Sequence, residues 1–360
     1  MFFSSPLGAR MMVDGQEVDY FCGTSYYALH GNPRVIEAAR AATLAYGMGP
    51  GTSAGMPVYA ELEAALCDWF RCEKVTYLIS GYLSPMALMQ GLASEIDTIF
   101  MDEVTHYSGR DAIAGLGLPI HKFAHLSPDS LRESLQKNLA PGQRVAVLTD
   151  GVFPSTGALP PLGDYRRELD PYGGLLCVDD SHGLGVLGAG GRGALEYCGA
   201  EGPQSFVAGT LSKAFGGLGG IVPGPASLAE KIAQNAMVMR GASPPPPASA
   251  AAALEALRIL REMPEMRQNL AQNVQHLRQG LRGLGLEIAD TPVPIISVKA
   301  PRSDLSAVAE ALKSRGIQLR RSGPLGYSDS PSVETLRIAV FATHTAEQLD
   351  RLIAALAETL

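Results

Sequence analysis

The chain has no apolar run approaching the ~18 residues that span a bilayer. Its start, MFFSSPLGAR, lacks the basic stretch and long apolar segment of a signal peptide. Cysteine is scarce: Cys22, Cys67, Cys72, Cys177 and Cys198 are five in number, irregularly spaced, with no Cys-x-x-Cys pair. That pattern argues against a disulfide framework or a zinc site and reads as reduced thiols of a cytoplasmic protein. Positive charge is short as well. Against 36 acidic residues stand 29 basic ones, for a net charge of −7, so neither nucleic acid nor an anionic membrane is the expected partner. Internal repeats and low-complexity linkers are also missing. Glycine is plentiful, with 40 among 360 residues gathered in a few loops, where bare backbone can approach a ligand closely.

A chain of this length can bury a full core and divide into a large and a smaller domain. Strand-like and helix-like segments alternate through its middle, the pattern of an α/β fold with a mostly parallel central sheet and helices on both faces. Asn32-Pro33 opens a helix that Gly47 closes. A second helix is expected over about 58–72, with Leu62, Leu66 and Trp69 on one face. Apolar runs at 75–79, 98–101, 145–148, 175–178 and 206–208 read as buried strands. Each ends in a small, polar or glycine residue, and ligands of open α/β sheets collect at such carboxyl ends. Past Pro244-Pro245-Pro246-Pro247 the composition shifts. Long helix interrupted near Pro264 is expected over 248–284, then strand 295–298, helix 304–315, strand 336–340 and helix 346–360. These predict three parts: an N-terminal segment 1–45 packing with the small domain, a large ligand-binding domain 46–240, and an interdomain helix with a small α+β domain over 241–360.

Lys213 lies in Ala-Gly-Thr-Leu-Ser-Lys-Ala-Phe-Gly-Gly-Leu-Gly-Gly, residues 208–220. A lysine between hydroxyls and a string of glycines is a poor choice for stability. It suits a Schiff base to an aldehyde cofactor whose phosphate the hydroxyls and backbone N–H groups hold; the plainer alternative is a turn with a surface lysine. Asp179, at the end of an apolar run, can hold a positive charge such as a pyridine N–H or can cap a turn. His182 nearby can hydrogen-bond a ring oxygen. Gly183 to Gly188 matches GxGxxG formally, yet it does not open a helix, so a dinucleotide site is rejected. Ser80-Gly81-Tyr82 precedes a helical stretch and offers N–H groups to a phosphate. His106, just past a strand, can stack on an aromatic cofactor or be an ordinary loop histidine. Arg337, inside an apolar strand, needs an anion: a substrate carboxylate or a structural salt bridge.

Three segments together resemble the α-oxoamine synthases, fold-type I pyridoxal phosphate (PLP) enzymes, from about residue 20 onward. Val178-Asp-Asp-Ser-His-Gly-Leu-Gly-Val-Leu-Gly with Gly191-Arg-Gly193 is similar to the family's VDDAHGxGVLGxxGRG. Gly209-Thr-Leu-Ser-Lys213 is similar to its GTLSK, and Leu336-Arg337-Ile338 with Ala342-Thr-His-Thr345 to its LRI…AxHT ending. The resemblance implies that Lys213 carries PLP and shuttles the α-proton, that Asp179 pairs with the pyridine nitrogen, and that His182 bonds the ring hydroxyl. It implies that His106 stacks on the ring, that Gly81, Tyr82 and Thr210 bind phosphate, and that Ser243 reaches the phosphate of a neighbouring subunit. Arg337 and Thr24 fall on the substrate side. A homodimer with active sites at its interface is implied too.

The departures from the family pattern face the acyl donor. Pro154, in Gly151-Val-Phe-Pro154-Ser155-Thr-Gly-Ala, replaces a hydroxyl residue, with Ser155 a candidate substitute. The family's N-terminal helical arm is absent, and Gly323-Pro-Leu-Gly-Tyr-Ser-Asp-Ser-Pro replaces PPTVP. The glycine-rich loop is shortened to Gly49–Gly55, and Tyr59 stands where a histidine is expected. The leading expectation is condensation of an amino acid with an acyl thioester, on CoA or acyl carrier protein, with loss of CO₂. Alternatives are a PLP aldolase, racemase or aminotransferase acting on the amino acid alone, and a non-catalytic binding subunit, against which the intact Lys213, Asp179 and His182 stand.

Overall fold

The computed structural model describes residues 2–51, 55–301, 303–323 and 334–360. Strands β1 (Arg10–Val13) and β2 (Gln16–Tyr20) open the chain. The large sheet uses β3 (Lys74–Leu78), β4 (Thr98–Asp102), β5 (Ile120–Phe123), β6 (Val145–Asp150), β7 (Leu175–Asp179), β8 (Ser205–Thr210) and β9 (Gly220–Gly224). The smaller sheets add β10 (Ile295–Val298), β11 (Ile317–Gln318), β12 (Arg320–Ser322) and β13 (Thr335–Ala339).

In the seven-stranded sheet the order is β3-β9-β8-β7-β6-β4-β5. From β8 to β5 every pairing is parallel, while β9 runs antiparallel to both β8 and β3. Covered on both faces, β4 and β6 are buried along their whole length and so read as unbroken apolar runs. Parallel direction brings the ends of β4, β6, β7 and β8, namely Asp102, Asp150, Asp179 and Thr210, to one edge of the sheet. Asp150 and Asp179 are direct partners in register.

The helices follow the capping signals. Asn32 accepts a hydrogen bond from the Arg34 N–H (2.9 Å) and starts Pro33–Tyr46, which Gly47 ends. Asp304 caps Leu305–Ser314 in the same way, and Pro264 divides Pro247–Glu262 from Glu265–Gly283. Several elements fall outside the expected set, among them β5 and the helices Pro128–Asn138 and Ala226–Asn235, as well as β9 and the N-terminal hairpin. Strand β9, Gly-Ile-Val-Pro-Gly, carries little β signal of its own and is shaped by neighbours on both sides. The N-terminal hairpin turns at Asp14-Gly15, both at positive φ (49° and 79°), and β11 pairs alongside β2 in parallel. Residues 52–54 of the glycine-rich loop, and 324–331 of the segment replacing PPTVP, lie outside the described residues. No described helix is long and apolar enough to cross a membrane.

Asn273 ties the long helix Glu265–Gly283 to the loop after β13, its amide donating to the Phe341 and His344 carbonyls at 3.0 and 2.9 Å. Asn273→Ala leaves those carbonyls short of a donor and is expected to cost about 1–2 kcal/mol. The check is a urea titration, in which the midpoint falls while the slope stays constant.

Candidate active site

The carboxyl edge of the sheet walls a cavity of ≈360 Å³, in the size range of small-molecule sites. Lys213, Asp179, His182, His106, Gly81, Tyr82, Thr210 and Thr24 all line it. Lys213 sits on the turn between β8 and β9. Burial pushes its amine down to about 8, against the pull of Asp179, and the nearby Arg337 charge adds to the push. A lysine so depressed supplies much more neutral, nucleophilic amine at physiological pH than a surface lysine does.

Asp179 is held by three donors. Its Oδ2 accepts from Ser108 Oγ (2.7 Å), and its Oδ1 accepts from Ser181 Oγ (2.7 Å) and the Ser181 N–H (3.3 Å). His182 Nδ1 meets the hydroxyl of fully buried Tyr26 at 2.7 Å. Burial, then the charge of Lys213, holds the His182 ring well below the usual histidine range, so it is neutral. His106 caps the helix Tyr107–Ala114, its Nδ1 accepting from the Ser108 N–H at 3.1 Å. Burial lowers its pKa too, and the Tyr82 ring meets it edge-on with centroids 6.2 Å apart.

Another part of the cavity wall is suited to an anion. Ser80, Gly81 and Tyr82 lead into the helix Ser84–Leu92, and helix N-termini attract negative groups. A Cβ on Gly81 would lie 2.5 Å from Thr210 Cβ and 2.6 Å from Thr210 Oγ1, so glycine alone lets these two walls touch. Ser212 completes the cradle; its N–H donates to Thr210 Oγ1 at 3.1 Å. An amine between a well-held carboxylate and an anion cradle fits PLP, whose ring nitrogen, aldehyde and phosphate call for those three groups.

Behind the cavity, one N-terminal segment grips both loops of the site. Tyr27 Oη donates to the Gly185 carbonyl (2.7 Å), and His30 Nε2 donates to the Ser212 carbonyl (3.1 Å), one residue before Lys213. Asp180, the second acid of the Asp-Asp-Ser-His run, is structural in geometry. It accepts the Gly183 and Ala194 N–H groups, and burial pushes it up to about 8. A Cβ at Gly151, Gly183 or Gly193 would collide with its carboxyl, which accounts for those glycines. Residues 183–188 form turns and open no helix.

Arg337 and Ser243 do not line the cavity. Arg337, only 3% exposed, donates through Nε to the Pro154 carbonyl at 2.7 Å, and Pro154 lines the cavity. Among the described residues Arg337 forms no ion pair with a carboxylate, although it is buried. Ser243 is exposed beside Pro244 and Pro245. Sequence reasoning missed Ser108, Ser181, Tyr26, His30 and Asp150 as parts of the site. Ser181 stands inside the quoted Asp-Asp-Ser-His run and was within reach; the others carry no local signal.

The aminotransferase class I and II family matches residues 22–356. A putative 8-amino-7-oxononanoate synthase of Desulforudis audaxviator is 35% identical over 99% of this chain and 93% of its own. The 8-amino-7-oxononanoate synthase of Thermosipho melanesiensis is 34% identical over 96% and 89%. Among solved structures, the serine palmitoyltransferase of Sphingomonas wittichii superposes with a TM-score of 0.89 at 26% identity, covering 99% of this chain and 90% of that one. The residues around Lys213 and the relatedness along nearly the whole length agree: the chain belongs to the aminotransferase class I and II family, within its α-oxoamine synthase branch of PLP-dependent transferases.

Proposed function

We propose that this protein condenses an amino acid with an acyl thioester, on CoA or acyl carrier protein, with loss of CO₂, acting as a cytoplasmic homodimer. The observation that carries the reading is the Lys213 amine, depressed to about 8 and lodged in one cavity with Asp179 and the Gly81–Thr210 cradle. When bound, PLP supplies an electron sink for charge developing at the amino acid's α-carbon. Gly81, Tyr82 and Thr210 would hold its phosphate, Asp179 would pair with its ring nitrogen, His182 would bond its ring oxygen, and His106 would stack on the ring. Lys213 removes the proton at the α-carbon and returns it. Thr24 orients the substrate carboxylate from the cavity wall, and Arg337 reaches it from behind that wall, past the Pro154 carbonyl that its Nε holds. Ser243 reaches the partner subunit's phosphate. An apolar cleft of ≈510 Å³, lined by Met56, Tyr59, Tyr77, Met239 and Pro245 beside Ser243, supports a subunit seated there. The relatives make 8-amino-7-oxononanoate the first product to assay.

Purified protein given a panel of amino acids and acyl thioesters is expected to release the free thiol with at least one pair. Thioesters left intact throughout, with pyruvate formation or α-deuterium washout from the amino acid alone, would sink the condensation. Lys213→Ala should abolish turnover and leave no borohydride-fixed PLP adduct by mass spectrometry. Covalent uptake of PLP by the cofactor-free protein should rise with pH and level off above about 8, not near the ordinary lysine value of 10.5. The sign follows from the depressed pKa, since only the neutral amine attacks the aldehyde. Arg337→Ala should raise the amino-acid KM about 10- to 100-fold, the worth of a charged hydrogen bond of ~1.5–3 kcal/mol, with kcat changed less.

A further inference from the structure

Asp150 ends β6, between Asp102 at the end of β4 and Asp179 at the end of β7. Three buried carboxyl groups therefore sit on three adjacent strands, and their donors are unequally shared. Asp102 accepts the Val104 and Leu126 N–H groups at 2.9 and 3.1 Å and lies 2.9 Å from His125 Nδ1. Asp179 has its three donors from Ser108 and Ser181. Asp150 is 2% exposed. Among the described residues its side chain accepts only one N–H, that of His106, shared between its two oxygens at 3.2 and 3.3 Å.

Adjacent buried carboxyl groups do not readily ionise together, and the proton goes to the one least solvated by donors. We propose that Asp150 is the protonated acid of the cofactor pocket, a positioning residue that holds the backbone of His106 beside Asp179, the acid with three donors that faces the cofactor. Its neighbours act in that direction. Burial comes first, then the charge of Asp179, in pushing Asp150 well above the usual carboxylate range. The His106 N–H opposes this, Asp102 adds to it and Lys213 opposes it. Asp180 lies just behind, where a Cβ on Gly151 would strike its carboxyl. Because Asp150 lines the cavity, its O–H is a donor at the wall of the space the cofactor fills, a role an ionised carboxylate could not perform.

The proposal rests on the cavity being a PLP site and is independent of the acyl chemistry. The substitution Asp150→Asn reproduces a neutral acid in shape, its amide accepting from His106 with one atom and donating with the other. In the PLP-loaded enzyme near neutral pH, the infrared spectrum should contain a protonated-carboxyl stretch that shifts in D₂O. Because Asp180 is also pushed up to about 8 and can contribute a band of its own, the reading is the difference between wild type and Asp150→Asn, which should contain such a stretch, and Asp179→Asn should leave that component in place. Asp150→Ala should weaken PLP affinity by tenfold or more, the change that ~1.4 kcal/mol produces, and Asp150→Asn should restore it to within about threefold. A difference between the wild-type and Asp150→Asn spectra that contains no protonated-carboxyl stretch overturns the proposal. So does PLP binding by Asp150→Asn as weak as by Asp179→Asn, or binding by Asp150→Ala as tight as the wild type. If Asp150→Ala does not fold, the spectra and the Asp150→Asn variant decide. Wild-type protein that takes up no PLP fails the cofactor reading instead, and the infrared band in that protein still tests the proton on Asp150.

Discussion

Parallel strands end together, and the molecule is organised around that one constraint. Where β4, β6, β7 and β8 stop, Asp102, Asp150, Asp179 and Thr210 emerge at a single buried edge. Polar groups so placed are costly unless each finds a partner. Ser108 and Ser181 serve Asp179, while Gly183 and Ala194 serve Asp180. Lys213 enters the same edge from the turn after β8, and burial there pushes its amine down to about 8.

The edge stays in register because distant pieces of chain hold its loops. Tyr26, Tyr27 and His30 come from one short stretch before the first long helix, and they bond to His182, Gly185 and Ser212. The His30 bond runs to a carbonyl, which can only accept, so Nε2 carries the proton and burial keeps the ring neutral. Arg337 contributes charge across a thin wall. Its guanidinium bonds to the carbonyl of Pro154, and its field depresses the proton affinity of both Lys213 and His182. Replacing a hydroxyl residue by Pro154 thus keeps the carbonyl that aims the arginine while removing a side-chain donor from the cavity.

Much of the fold was legible because local rules and tertiary demands agreed. Asn32, Pro33 and Gly47 bound a helix on capping grounds alone, and the apolar runs at 98–101, 145–148 and 175–178 read as buried strands, one or two residues short of the observed ends at Asp102, Asp150 and Asp179. Strand β9 was illegible for the opposite reason: Gly220, Pro223 and Gly224 oppose a strand locally, and pairing with β3 and β8 overrides them. In the site, Lys213, Asp179 and His182 stood out because their settings make little sense without a ligand. Asp150 did not, since an aspartate after an apolar run looks like any strand end.

The amino-acid sequence by itself pointed to the cofactor chemistry, because the segments around Asp179 and Lys213 resemble a PLP family as whole motifs, although each residue alone left a plainer alternative open. It also determined the parallel sheet, through unbroken apolar runs punctuated by polar ends. Only the tertiary structure decided which acid has three donors and which has one, and which nitrogen of His182 is taken by Tyr26. It alone placed Arg337 behind Pro154 with no carboxylate among the described residues. Those outcomes depend on hydrogen bonds between residues far apart in sequence, and proton affinity in a buried site is set by who the neighbours are, not by the residue that carries the proton.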